Sequence, residues 1–220
     1  MIVTLDGPAG AGKSSTARAL AARLGWCYMD TGAMYRAVAL TALERGIPLD
    51  AADRVAELAE RLTIEFCDGR VTVDGRDVSV EIRTDRITAA TRPVADAPPV
   101  RDAMKRMQRR MAEGIDVVTE GRDQGSVVFP HAELKVFLTA SPEERARRRH
   151  REEVGRGRDP SLEEVLAAQS RRDEGDSVRP VGALCQAADA VLLETDGLTA
   201  EEVLGRLLDL VAARRGRCKA

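Results

Sequence analysis

Apolar residues in this chain follow two rhythms. Short unbroken runs, Ile2-Val3-Thr4-Leu5, Val117-Val118-Thr119, Leu134 to Leu138 and Ala190 to Leu193, read as strands buried on both faces. Trp26 to Asp30 reads as a further strand. Between them the period lengthens to that of a helix. Ala17, Leu20, Ala21 and Leu24 share one face over Ser14 to Leu24, and Met34, Val38 and Leu43 do so after Gly32. Ala52 to Leu62, a basic stretch Val100 to Met111 after Pro98-Pro99, Glu143 to Arg151, Leu162 to Arg172 and Ala200 to Val211 are also helical in pattern. Thr63 to Ser79 differs: its short apolar runs are broken by Asp68-Gly69 and Asp74-Gly75, both hairpin signals. Strands alternating with helices predict an α/β fold, a parallel sheet covered on both faces, with a small antiparallel piece inserted. The tail Arg214 to Ala220 reads as a solvated end.

One turn in this pattern carries chemistry. Gly7-Pro8-Ala9-Gly10-Ala11-Gly12-Lys13-Ser14 fits G-x-x-x-x-G-K-[ST] and lies between the first strand and the first helix. Glycine turns there aim backbone N–H groups at one point, the helix start adds partial positive charge, and Lys13 adds a full one. This nest suits the polyphosphate of a nucleoside triphosphate, held by Gly7 to Ser14 with Ser15 just beyond. The Ser14 hydroxyl suits the Mg²⁺ that accompanies it.

The loop alone does not separate kinase, GTPase and motor. No Asn-Lys-x-Asp stretch of the GTPase kind is present, and no strand ends in paired acids of the motor type. Arginine and aspartate instead recur near strand and helix ends, at Asp30 to Arg36, Glu120 to Asp123, and Arg172-Asp173 with Asp176 and Arg179. Arginine forks bind phosphate oxygens, and an aspartate fixes a hydroxyl or amino group. Open α/β sheets bind ligands in the crevice beyond the strand ends. A single such pair would read as a surface ion pair; three of them at loops favour a ligand.

Charge and composition narrow the partner. With 220 residues, 32% charged, 44% apolar and net charge -2, this is one ordinary globular domain. The pI of about 5.9 and few aromatics argue against nucleic acid. No apolar run approaches a membrane span, and no leader precedes the strand at Ile2, so a cytoplasmic protein is expected. Cys27, Cys67, Cys185 and Cys218 are widely spaced with no histidine near, which predicts reduced, mostly packed thiols rather than a zinc site. His131 and His150 fall outside the candidate sites and read as surface residues.

Taken together, these stretches resemble the bacterial-type cytidylate kinases of the nucleoside monophosphate kinase group. The likeness runs over Leu5 to Ser15, Asp30-Thr31-Gly32-Ala33-Met34-Tyr35-Arg36, Val80-Glu81-Ile82-Arg83-Thr84, Gly121-Arg122-Asp123, Val127-Val128-Phe129-Pro130, Leu138 to Arg145, and Arg172-Asp173 through Arg179. The chain departs from the family pattern at Gln124, Ser126 and Ala183-Leu184, which bears on loop rigidity.

The resemblance implies a single kinase domain over 1–220. Its core would be 1–31, 85–145 and 159–220, its monophosphate-binding insertion about 32–84, and its lid about 146–158, with Gly155 and Gly157 as a hinge or a plain loop. It implies phosphoryl transfer from ATP to CMP, with dCMP as second acceptor, by a monomer. By resemblance Lys13 and Mg²⁺ steady the donor phosphates, Arg36 and Arg122 hold the acceptor phosphate, and Arg179 lies near the acceptor. Asp123 and Arg101, with Thr91, would read cytosine; Asp176 and Arg172 would hold the sugar; Thr31 and Tyr35 would complete the site. A lid arginine, Arg148 or Arg158, would screen transition-state charge. Open alternatives at this point are a kinase of the same fold acting on UMP, dTMP or shikimate, and a nucleotide-binding regulator with little turnover.

Overall fold

A five-stranded sheet in the order β2-β6-β1-β7-β8 carries the phosphate loop. The computed structural model describes residues 1–67, 69–179 and 181–217. The strands are β1 (Ile2–Asp6), β2 (Cys27–Asp30), β6 (Val117–Gly121), β7 (Leu134–Thr139) and β8 (Val191–Glu194). β1 is central and parallel to both β6 and β7, and β8 is parallel to β7. This is the predicted parallel sheet. Its core joins Val3, Leu5, Val118, Val136 and Leu138 to Leu20 of α1 (Lys13–Leu24) and Leu207 of α8 (Ala200–Arg217). Helix α8 runs on through Arg214 to Arg217, and Arg215 and Gly216 are exposed, as expected of a solvated end; Cys218 and the residues after it lie outside the described residues.

Helix ends follow the local chemistry. Gly25 closes α1 in the left-handed conformation, and Trp26 N–H donates to Ala21 O at 2.9 Å. Asp30 caps α2 (Thr31–Glu44), accepting Ala33 N–H at 2.8 Å. Pro98 and Pro99 open α5 (Pro98–Ala112), where a missing N–H costs nothing. Ser141 caps α6 (Pro142–Gly155), and a reciprocal Ser161–Glu164 capping box starts α7 (Leu162–Ser177).

The chain divides into two units, one comprising Met1–Tyr28 with Ile115–Ala220, the other Met29–Gly114. The second is longer than the insertion expected at 32–84. It takes in α4 (Asp85–Asp96) and α5, because α4 packs on α2 and α5 packs on α3 (Ala52–Arg61). Helix α4 is not evident in the apolar pattern, and Pro93 lies within it. The same unit holds an antiparallel sheet β3-β4-β5, from β3 (Ile64–Cys67), β4 (Arg70–Val73) and β5 (Arg76–Asp77). Asp74 and Gly75 both have positive φ, 49° and 81°, the two-residue hairpin turn that Asp-Gly predicts. Asp68 of the other signal lies outside the described residues.

The lid expected over 146–158 is mostly regular: α6 runs to Gly155, and only Gly157, at φ 76°, breaks the helical path. The thiols also differ from expectation. Cys27, Cys67 and Cys185 are exposed rather than packed. Among the described residues no helix is long and apolar enough to cross a membrane.

Candidate active site

The phosphate loop is shaped by exclusion. Gly7 has φ 145°, and a Cβ there would lie 1.9 Å from the Leu138 carbonyl oxygen, so no side chain fits between β1 and β7. Gly10 and Gly12 adopt left-handed φ of 79° and 91°. Lys13 begins α1, is buried, and donates from Nζ to the Pro8 carbonyl at 2.8 Å across its own loop. Ser14 Oγ donates to Glu120 Oε1 at 2.9 Å, at the end of β6. Ser15 lies on the first turn of α1, its Oγ donating to Gly12 O.

The surroundings of Lys13 disfavour its charged form. Burial, then the charges of Arg122 and Arg172, push the Lys13 ammonium down to about 7, although Glu120 and Asp6 pull upward. An anion set against the loop would favour the charged ammonium. Ser14 and Glu120 are hard oxygen donors of the kind Mg²⁺ accepts, so these residues fit the cation that accompanies ATP.

Asp6, the last residue of β1, organises the next loop. It accepts Gln124 N–H at 2.8 Å and Gly125 N–H at 2.7 Å, which folds Gln124–Val128 into a π-helical turn. Burial raises the Asp6 carboxyl to about 6, against those two hydrogen bonds; nearby Asp123 adds to the rise. A Cβ on Gly125 would meet Thr4 Oγ1 at 2.8 Å. Gln124, where the chain departs from the family pattern, is buried and accepts the Thr119 hydroxyl at 3.0 Å. The departure is therefore packed in, and the loop is not slack there. Ser126 Oγ is buried without a hydrogen-bond partner.

The predicted acceptor groups fall in both units. In the first, Asp123 is buried beside this turn, and Asp176 of α7 gathers two arginines. Arg122 Nε donates to one of its oxygens at 2.7 Å, and Arg179 Nη2 lies 2.6 Å from the other. Burial works to raise the Asp176 carboxyl, but Arg122 and Arg179 overrule it and hold it below the usual carboxylate range. Arg172, on the same helix, acts electrostatically on both Lys13 and Asp176.

In the second unit, Arg36 lies 3.7 Å from the capping carboxylate of Asp30, and its Nε is buried with no hydrogen-bond partner. Such a donor is costly unless a ligand satisfies it. Thr31 and Tyr35 stand on the same helical turns. Arg101 is buried, donates to Ala95 O at 3.0 Å, and lies over the Tyr35 ring at 5.6 Å. Thr91 donates to Ile87 O at 2.6 Å. Arg83, quoted in the sequence without a task, lies 4.0 Å from the other Asp30 oxygen.

The two arginines expected in a lid have different settings. Arg148 bonds Glu144 and both oxygens of Thr195, and a Cβ on Gly12 would lie 3.9 Å from its Nη1, so it stands beside the phosphate loop. Arg158 is bound at 2.9 Å to Glu153, a buried carboxylate that Arg149 also grips. Arg145 and Asp173 clamp the loop from outside; the sequence placed Asp173 among the recurring arginine–aspartate pairs and Arg145 in a matching stretch, but gave neither this task.

A glycine-shaped loop between a central parallel strand and a helix, with a buried lysine and a serine–carboxylate pair, defines a P-loop nucleotide-binding protein. The cytidylate kinase family model matches residues 3–213, and the chain belongs to that family. It is 51% identical to the cytidylate kinase of Rhodopirellula baltica over 96% of this chain and 92% of that one. It is 43% identical to the cytidylate kinase of Carboxydothermus hydrogenoformans over 97% and 98%. An uncharacterized protein from Eubacterium ventriosum shares the fold alone, at TM-score 0.55 and 10% identity over 96% of this chain and 98% of that one.

Proposed function

We propose that the protein transfers the γ-phosphoryl group of ATP to CMP, and also to dCMP, giving ADP and CDP or dCDP. The observation that carries this reading is the glycine-shaped phosphate loop with its buried Lys13 and its Ser14–Glu120 pair, in a chain of the cytidylate kinase family. An oxygen of the acceptor phosphate attacks the γ-phosphorus, and the bond to the β-phosphate bridging oxygen breaks. A phosphate monoester, with a second pKa of about 6, is mostly dianionic at neutral pH, so no base is required. What the reaction needs is alignment of two anions and dispersal of charge.

Each side chain then has a task. Lys13 and the loop N–H groups of Gly7 to Ser15 hold the donor. Ser14, with Glu120 behind it, would hold Mg²⁺, which when bound neutralises β- and γ-phosphate charge. Arg36 and Arg122 take the acceptor phosphate; the unpartnered Arg36 Nε supports that role. Asp123 accepts from the cytosine amino group while Arg101 and Thr91 donate to its acceptors. Asp176 and Arg172 take the sugar, with Arg179 near the acceptor; Thr31 and Tyr35 are the remaining acceptor residues. Arg148 is the better placed lid cation, since its Nη1 stands beside the phosphate loop at Gly12. The working form is a cytoplasmic monomer.

The test is an acceptor panel. With Mg-ATP, CMP and dCMP are expected to be phosphorylated with kcat/KM at least about tenfold above UMP, dTMP and shikimate. Preference for one of the last three overturns the assignment. Tight ATP binding with no transfer to any acceptor would mark a nucleotide-binding regulator instead.

A further inference from the structure

Asp173 and Arg145 have no part in the reaction proposed above, yet they are the most tightly engaged ion pair near the phosphate loop. Asp173 is on α7 and Arg145 on α6, and their side chains are hydrogen-bonded to each other. Both then grasp the same loop residue. Asp173 Oδ1 accepts Ala9 N–H at 3.2 Å, and Arg145 Nη1 donates to Ala9 O at 2.9 Å. The Arg145 guanidinium is fixed further by Nε donating to Ala140 O at 3.1 Å. Gln169, also on α7, donates to Arg145 O at 3.2 Å.

The next residue is confined by the same side chains. A Cβ on Gly10 would lie 2.5 Å from Gln169 Nε2 and 3.1 Å from Arg145 Cβ. Both backbone polar groups of Ala9 are therefore committed outward, to the ion pair. Geometry at Ala9 and Gly10 decides where the following N–H groups of Ala11, Gly12 and Lys13 can point. An ion pair binding the two peptide groups that flank one α-carbon fixes that geometry more firmly than a neutral turn would.

We infer that Asp173 is a positioning residue of the donor site: through Ala9 N–H and through Arg145 it sets the first turn of the phosphate loop. The inference rests on reading that loop as the polyphosphate cradle. Its effect falls on donor binding and not on the acceptor, which meets neither Asp173 nor Arg145.

The test uses the full chain and two variants, Asp173→Ala and Asp173→Asn. Binding of Mg-AMP-PNP and, separately, of CMP is titrated by calorimetry at neutral pH. Asp173→Ala is expected to weaken AMP-PNP by about tenfold or more, with CMP affinity within about twofold of wild type. Asp173→Asn keeps an oxygen for Ala9 N–H and loses the charge on Arg145, so it should fall between the two. Unchanged AMP-PNP affinity in both variants overturns the inference. So does equal weakening of AMP-PNP and CMP, which would mean general loosening of α7. If Asp173→Ala does not fold, Asp173→Asn is judged by the same two ratios. AMP-PNP binding needs no acceptor, so a wild-type protein that fails to phosphorylate CMP would sink the proposed reaction and leave this measurement standing.

Discussion

Lys13 turns donor binding into a measurable proton uptake. Its ammonium stands at about 7 because it is buried and because Arg122 and Arg172 repel a further positive charge. At pH 8 such a group is about nine-tenths neutral in the empty protein. Polyphosphate oxygens set against it restore the charged form. Binding should therefore take up about 0.9 proton through Lys13 at pH 8 and about 0.5 at pH 7. Affinity follows the protonated fraction, falling about fivefold from pH 7 to 8 and about ninefold more to pH 9. The assay is calorimetric titration with Mg-AMP-PNP in buffers of different ionisation enthalpy, comparing wild type with Lys13→Met. The difference in uptake isolates Lys13 from the nucleotide's own titration. Equal uptake by the two proteins at pH 8 would refute the reasoning. The same shift acts on the empty fold. The folded value lies below the ordinary 10.5, so between about 7 and 10.5 the unfolded chain holds more protons and stability rises with pH. At and below pH 7 the cost is present in full.

Gly7→Ala places a Cβ 1.9 Å from Leu138 O, so the loop must move by about 1 Å or more; AMP-PNP binding should weaken at least about a hundredfold, and wild-type affinity would count against the geometry. For Asp6, whose carboxyl is raised to about 6, the folded state holds more protons than the unfolded between 3.8 and about 6. The stability of wild type relative to Asp6→Asn should accordingly decline as pH rises through that window, by up to about 3 kcal/mol. Urea unfolding at several pH values between 4.5 and 7.5 reads this, and a constant difference would be the contrary result. Arg36→Lys removes the planar fork, so KM for CMP should rise about tenfold with AMP-PNP affinity unchanged. A shift in AMP-PNP affinity instead would place Arg36 elsewhere.

The sheet and the phosphate loop were legible because their causes are local. Ile2 to Leu5 and Leu134 to Leu138 are apolar without a break, and Gly7, Gly10 and Gly12 stand where left-handed or crowded backbone demands them. The Asp74-Gly75 turn is equally local. What was missed depends on partners far along the chain. The π-helical turn over Gln124–Val128 exists because Asp6, remote in sequence, accepts two of its N–H groups. The division after Gly114 comes from α2 on α4 and α3 on α5, and helix-on-helix packing leaves no mark in the apolar period that says which helices pair. The Arg145–Asp173 clamp joins α6, α7 and the loop, which no spacing reveals. Exposure of Cys27, Cys67 and Cys185 likewise depends on neighbours that composition does not name.

Asp176 has a consequence for how the protein meets a charged guest. Arg122 and Arg179 already embrace a carboxylate, one on each oxygen. An arriving anion therefore does not fall into a bare electropositive hole; it trades places with, or joins, a resident counterion. The resident carboxylate lowers the positive field that the two guanidiniums present before docking. Added salt should consequently slow capture at this spot far less than a tally of arginines suggests.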